Sequence, residues 1–243
     1  MSPARELREV IVQLKTILNA YGEMGLDLLW HRPDSPPCDA SAPTGSEETP
    51  AELLPDSMDG LESLVSGCTR CPLHQGRKHV VFGEGSLDAT LLFVGEGPGE
   101  DEDLSGRPFV GEAGTLLTRI VENGMGLKRS DVYICNTVKC RPLGNRDPLD
   151  EETEACLPFL KQQIRLVRPR IICTLGRVAG RALLGGEFRL RQARGRWHVY
   201  EGIPVMPTFH PAHLLRNPSA KRWVWEDIKQ IMNRLGLEVK TND

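Results

Sequence analysis

Long apolar runs are missing from this chain of 243 residues, and so is any large excess of one charge. The opening segment, MSPARELREVIVQLKTILNA, carries charges throughout and has none of the uninterrupted apolar stretch that a signal peptide or a membrane span requires. We therefore expect a cytoplasmic protein that does not engage a membrane. No internal repeat is present, which excludes a repeat array. The glycine-rich turn at Gly95–Gly99 lacks the Gly-Lys-Ser/Thr ending of a phosphate loop, which argues against a nucleotide-binding regulator.

The net charge of -3 conceals an asymmetry. Residues 1–60 hold 4 basic and 11 acidic side chains, whereas the remaining 183 hold 26 basic and 22 acidic, so an acidic leader masks a mildly basic body. Such a body permits contact with phosphate without requiring it. Apolar residues make up 40% of the chain, enough for a full core.

Three segments are expected. In residues 1–31, Leu7, Val10, Ile11, Leu14, Ile17 and Leu18 recur at helical spacing, predicting an amphipathic helix that docks on the body or on a protein partner. Residues 32–60 are rich in Pro, Ser and acidic side chains and read as a flexible linker. From residue 61 onward, strand-like runs alternate with helical ones. That order predicts a three-layer α/β/α domain around a mostly parallel four-stranded sheet, with LLFVG, VYICN, IICTLG and VMPTFHP as strands. Ligands of such sheets bind beyond the carboxyl ends of the strands, where these runs turn polar.

Cysteine is scarce but patterned. Cys68 and Cys71 form a Cys-x-x-Cys, and Cys140 and Cys156 complete a set of four thiols able to hold zinc or an iron-sulfur cluster; spacing does not choose between them. Cys135 is a competing ligand, Cys173 reads as a packed small hydrophobe, and Cys38 falls in the linker. Glu96 and Gly97 lie in the glycine-rich turn that follows the first strand. That turn also fits an ordinary strand-to-helix loop. Phe109 suits either the core or a ring that stacks on a flat ligand. Asn136, at a strand end, offers a donor and an acceptor together, as reading a pyrimidine edge requires, though it can equally cap a turn. His210 closes the last strand. Leu214, Leu215 and Arg216 then read either as an apolar wedge beside a phosphate contact or as a helix start packing inward.

Taken together, CTRCPLHQGRKHVVFGEG, VGEGPGEDEDLSGRPFVGEAG, VYICNTVKCRPLGNRDP, EACLPFL, RPRIICTLG and FHPAHLLRNP resemble, in order and spacing, the family 4 iron-sulfur uracil-DNA glycosylases. The resemblance spans about Leu61 to Leu235 and leaves the first sixty residues outside. It implies a hydrolase of DNA repair that cuts uracil from single- or double-stranded DNA. It makes Cys68, Cys71, Cys140 and Cys156 the ligands of a structural 4Fe-4S cluster and Cys135 a spectator. Glu96, Asn136 and His210 become the catalytic set, with Gly97, Glu102 and Phe109 also touching the base. Leu214 and Leu215 fill the vacated stack, and Arg216 holds a phosphate. His210 is expected to act by hydrogen bonding, with Glu96 the nearest acid able to activate water, in a monomeric enzyme. The Lys-Arg-Arg-Ile-His insert of relatives that trap uracil covalently is absent between Lys139 and Cys156. A non-catalytic nucleic-acid-binding module with a structural metal is the alternative from a different class.

Overall fold

The computed structural model describes residues 54–239. The amino-terminal helix and most of the expected linker lie outside the described residues, as does Cys38.

Four runs of apolar residues form the parallel centre of the sheet: β2 (Leu91–Gly95), β3 (Tyr133–Asn136), β4 (Ile171–Leu175) and β6 (Ile203–Thr208). The sheet has six strands, in the order β1-β3-β2-β4-β6-β5, where the sequence led us to expect four. The additional strands, β1 (Glu84–Gly85) and β5 (His198–Tyr200), pair antiparallel with β3 and β6 at the two edges. They are two and three residues long, too short to show a period-two pattern in the sequence.

Strand alternation divides the core into two. Leu92, Val94, Tyr133, Cys135 and Ile172 face one helical layer, while Leu91, Phe93, Ile134, Ile171 and Cys173 face the other. On the first face pack α1 (Met58–Ser66), through Leu61 and Val65, α4 (Asp150–Val167), through Phe159, Leu160 and Ile164, and α5 (Arg177–Leu184), through Ala179 and Leu183. The second face is covered by α3 (Glu112–Arg119), through Leu117, and by α8 (Lys221–Leu235), through Val224, Ile228, Ile231 and Met232. Each large apolar side chain fully withdrawn from water contributes about 1.5–3 kcal/mol, so these two layers hold the sheet. Among the described residues, no helix is long and apolar enough to cross a membrane.

The body starts earlier than expected. Ser57 caps α1 by accepting from the Gly60 N–H, the Pro55 carbonyl accepts from Gln162 Nε2, and Asp56 pairs with Arg165. Residues 55–60 thus belong to the packed domain and not to a linker, because Met58 and Leu61 are core side chains.

Short elements follow the strands and carry the site: α2 (Glu100–Ser105) after β2, a 3-10 turn (Leu143–Asn145) after β3, and α7 (Pro211–Arg216) after β6. The remaining helix, α6 (Leu190–Ala193), lies between α5 and β5.

Candidate functional site

The ends of β2, β3 and β6 open on a cavity of about 390 Å³ whose lining includes Glu96, Gly97, Glu102, Phe109, Asn136, Asp147, His210 and Arg216. Strand register builds its floor. Gly95 pairs with Asn136 across β2 and β3, and a Cβ at Gly95 would lie 2.3 Å from Asn136 Oδ1 and 2.5 Å from Phe109 Cζ. Only glycine lets the amide and the ring approach one another over the strand end. Asn136 is 1% exposed and its Oδ1 has no hydrogen-bond partner. A buried, unpaired amide oxygen costs about 1–3 kcal/mol, which marks a group held ready for a ligand.

The backbone around Asn136 is pinned. Thr137 donates to the Gly95 carbonyl from both N–H and Oγ1, and the Lys139 ammonium donates to the Asn136 carbonyl (2.7 Å) and to Gln163 Oε1 (2.5 Å). Lys139 is fully buried, and it also borders the cysteine-lined cleft described below.

Phe109 adopts φ 52°, a left-handed conformation rare for an aromatic residue and characteristic of sites where strain is held in place by surrounding bonds. The clamp is Glu102. Its Oε1 accepts from the Val110 and Gly111 N–H groups (2.9 and 3.0 Å), and its Oε2 accepts from Gly99 (3.0 Å), tying both loops of the glycine-rich segment together. Glu102 was expected to touch the base; its carboxylate is committed to these three backbone bonds while it borders the cavity.

His210 stands across from this ring, with centroids 5.5 Å apart. Its Nδ1 accepts from the Ala212 N–H at the start of α7 (3.2 Å). Burial lowers its pKa to about 4, with the Arg216 charge adding to the fall and Glu102 opposing it. The imidazole is therefore neutral near pH 7. Because Nδ1 accepts, the single ring proton sits on Nε2, making His210 a hydrogen-bond donor there.

Burial and the neighbouring Asp147 charge raise the Glu96 carboxyl to about 7, against the attraction of Arg177. Asp147 is itself held by Arg177 and was not singled out from the sequence, although it lies within the GNRDP block. The two leucines, expected together in the vacated stack, differ in burial. Leu214 is 1% exposed and packs in the core with α8, since the α7 face that bears it points inward, whereas Leu215 is 43% exposed. Only Leu215 is free to meet a ligand. Arg216 is exposed and borders the cavity.

Cys68, Cys71, Cys140 and Cys156 line one narrow cleft with Arg77 and Lys139, and none is in a disulfide. Arg77 braces it by donating to the Cys68 carbonyl (2.8 Å), to Cys140 Sγ (3.2 Å) and to the Ser66 carbonyl (3.1 Å), a role carrying no sequence signal. Cys135 and Cys173 lie apart, inside the core. Among the described residues, no group of three or more His, Cys, Asp or Glu side chains is placed to hold a metal ion.

A family model for the uracil DNA glycosylase superfamily matches residues 82–230, which takes in every lining residue of the cavity. A type-4 uracil-DNA glycosylase of Thermotoga maritima is 49% identical over 179 residues, 71% of this chain and 92% of that protein. The chain belongs to the type-4 branch of the uracil DNA glycosylase superfamily. Type-4 uracil-DNA glycosylases of Sulfurisphaera tokodaii and Saccharolobus solfataricus are 44% and 42% identical, covering 72% and 77% of this chain and 84% and 91% of theirs.

Proposed function

We infer that this chain excises uracil from DNA by hydrolysing the N-glycosidic bond, leaving an abasic site. The observation that carries the reading is the unpaired, buried Oδ1 of Asn136, which lines one cavity with the Phe109 ring and with a neutral His210 whose Nε2 bears the proton. A uracil laid on Phe109 gives its N3–H to Asn136 Oδ1 and accepts at O4 from the amide nitrogen. Cytosine has an acceptor at N3 and an amino group at C4, so both contacts are lost and a buried donor and acceptor are left unpaired. The nucleotide must leave the stack to reach the cavity; Leu215 enters the space it vacates and Arg216 holds a phosphate.

As the C1′–N1 bond breaks, negative charge grows on the uracil oxygens and positive charge on the sugar. The His210 Nε2–H, fixed and already oriented, donates to the oxygen beside N1, where it stabilises the transition state without reorganising. The electron pair of the C1′–N1 bond leaves with the uracil, water bonds to C1′ through its oxygen and releases a proton, and the uracil anion takes up a proton from solvent. Glu96, with a carboxyl that exchanges its proton near neutral pH, is the acid in reach to orient and deprotonate that water. Gly97 packs within 2.8 Å of Val138 Cγ2 when given a Cβ, so its lack of a side chain keeps the loop low beside the base.

Cys68, Cys71, Cys140 and Cys156 would hold a 4Fe-4S cluster. Four thiols lining one cleft are a donor set that suits such a cluster, and Arg77 and Lys139 beside them would balance its negative charge. The group would supply a structural tie between α1, α4 and the loop after β3, and no step of the reaction.

Chromatography of the products from a duplex holding one uracil tests the activity: free uracil is expected, and no thymine from the same duplex. A broad visible absorption with matching iron and sulfide content tests the cluster. Zinc alone would replace that assignment.

A further inference from the structure

Leu143 is 86% exposed, more than any other large apolar side chain among the described residues. Its exposure is fixed and not a fraying accident. The turn that carries it is closed by Asn145 N–H to the Pro142 carbonyl (3.0 Å) and by Arg141 Nε to Asn145 Oδ1 (2.8 Å), with Gly144 and Asn145 both left-handed. Arg141 also pairs with Glu100, and Arg146 makes a two-pronged pair with the buried Glu152 (2.8 and 2.6 Å). A rigid turn therefore pushes a leucine into water beside two arginines.

Its place is informative. Pro142 and Asn145, on either side of the tip, line the cavity assigned to uracil, while Leu143 and Gly144 line a second groove of about 350 Å³ with Arg141, Arg146, Gln75 and Gly76. Leu143 thus stands on the ridge between the two. It projects from the turn after β3, whereas Leu215 projects from α7, which follows β6, and β2 and β4 lie between those strands. Three strand spacings of about 4.8 Å put the ends of β3 and β6 roughly 14 Å apart, so the two leucines belong to separate elements of the rim.

Resting on the uracil-excision reading, we propose that Leu143 is a second apolar wedge, pressing on the DNA stack on the side of the turned-out nucleotide opposite to Leu215. The occupant is duplex DNA. Continuity supports this: Arg146 lines both cavities, so the surface under Leu143 runs into the one that takes the base, and Arg216 stands exposed at its rim.

Full-length protein is compared with Leu143→Ala and Leu215→Ala on uracil paired with adenine and on uracil in a single strand, with 2-aminopurine placed on one side of the uracil or the other. Because the side chain is solvent-exposed, Leu143→Ala should fold normally, which an unchanged melting temperature checks. We expect kcat/KM on the duplex to fall about tenfold, the loss of one apolar burial, and by less on the single strand. The 2-aminopurine brightening should vanish on one side in Leu143→Ala and on the other in Leu215→Ala, and Leu143→Met should recover most of the rate. Wild-type rates and brightening on both sides in Leu143→Ala would overturn the wedge alone. A wild type that releases no uracil from either substrate would overturn the excision reading, and the wedge with it.

Discussion

Replacing Gly95 by alanine tests the packing on which the site depends. The new methyl would meet Asn136 Oδ1 at 2.3 Å and Phe109 Cζ at 2.5 Å, so one or both must retreat by about 1 Å to reach ordinary contact. Neither has an easy escape. Phe109 is tied through the Glu102 bonds to Val110 and Gly111, and Gly114 lies so close that its own Cβ would strike the Phe109 carbonyl at 1.9 Å. Asn136 is fixed by its strand pairing and by Lys139. Overpacking of this sort costs about 1–3 kcal/mol, or roughly 2–12 °C in melting temperature for a domain of this size. A recognition amide and ring displaced by about 1 Å should lower kcat/KM by about 100-fold. Thermal unfolding and uracil release, measured on the same preparation beside Gly67→Ala, where the methyl meets nothing within 4 Å, separate the two effects. If Gly95→Ala loses stability but excises normally, the cavity is not the uracil site; if it loses neither, the packing described is wrong.

Excision should rise with pH through about 7 as Glu96 gives up its proton, and Glu96→Gln should be slower and lack that rise in a pH–rate profile. The sign for stability is opposite: a carboxyl raised in the folded protein costs stability as pH climbs from its unfolded value through 7, so the Gln variant should gain on wild type above pH 7 and not at pH 4. Glu102→Gln leaves one oxygen where two served three N–H groups, which should lower stability by about 1–3 kcal/mol and reduce kcat by freeing the Phe109 loop, both readable by melting and single-turnover kinetics.

Much of this was legible in the sequence because the site sits where apolar runs end. Asn136 and His210 read in the sequence as polar residues closing strands, and both line the cavity; Cys68, Cys71, Cys140 and Cys156 read as a Cys-x-x-Cys with two partners, and all four line one cleft. Legibility failed where three dimensions decide. Leu214 and Leu215 are neighbours in sequence, yet the helical turn sends one to the core and one to water. Edge strands of two and three residues carry no period. Glu102 acts on a loop eight residues away, and Asp147 gains meaning only beside Glu96, across a fold that joins distant loops.

The most direct test is an end-labelled DNA strand containing one uracil, incubated with the protein, cleaved by alkali and resolved by electrophoresis, with His210→Ala alongside. Cleavage at the uracil by the wild type, slowed about 100- to 1,000-fold when the single fixed donor is removed, is the predicted result. Cleavage that is equally fast in both proteins, or none from a wild type carrying its full complement of iron and sulfide, would contradict it.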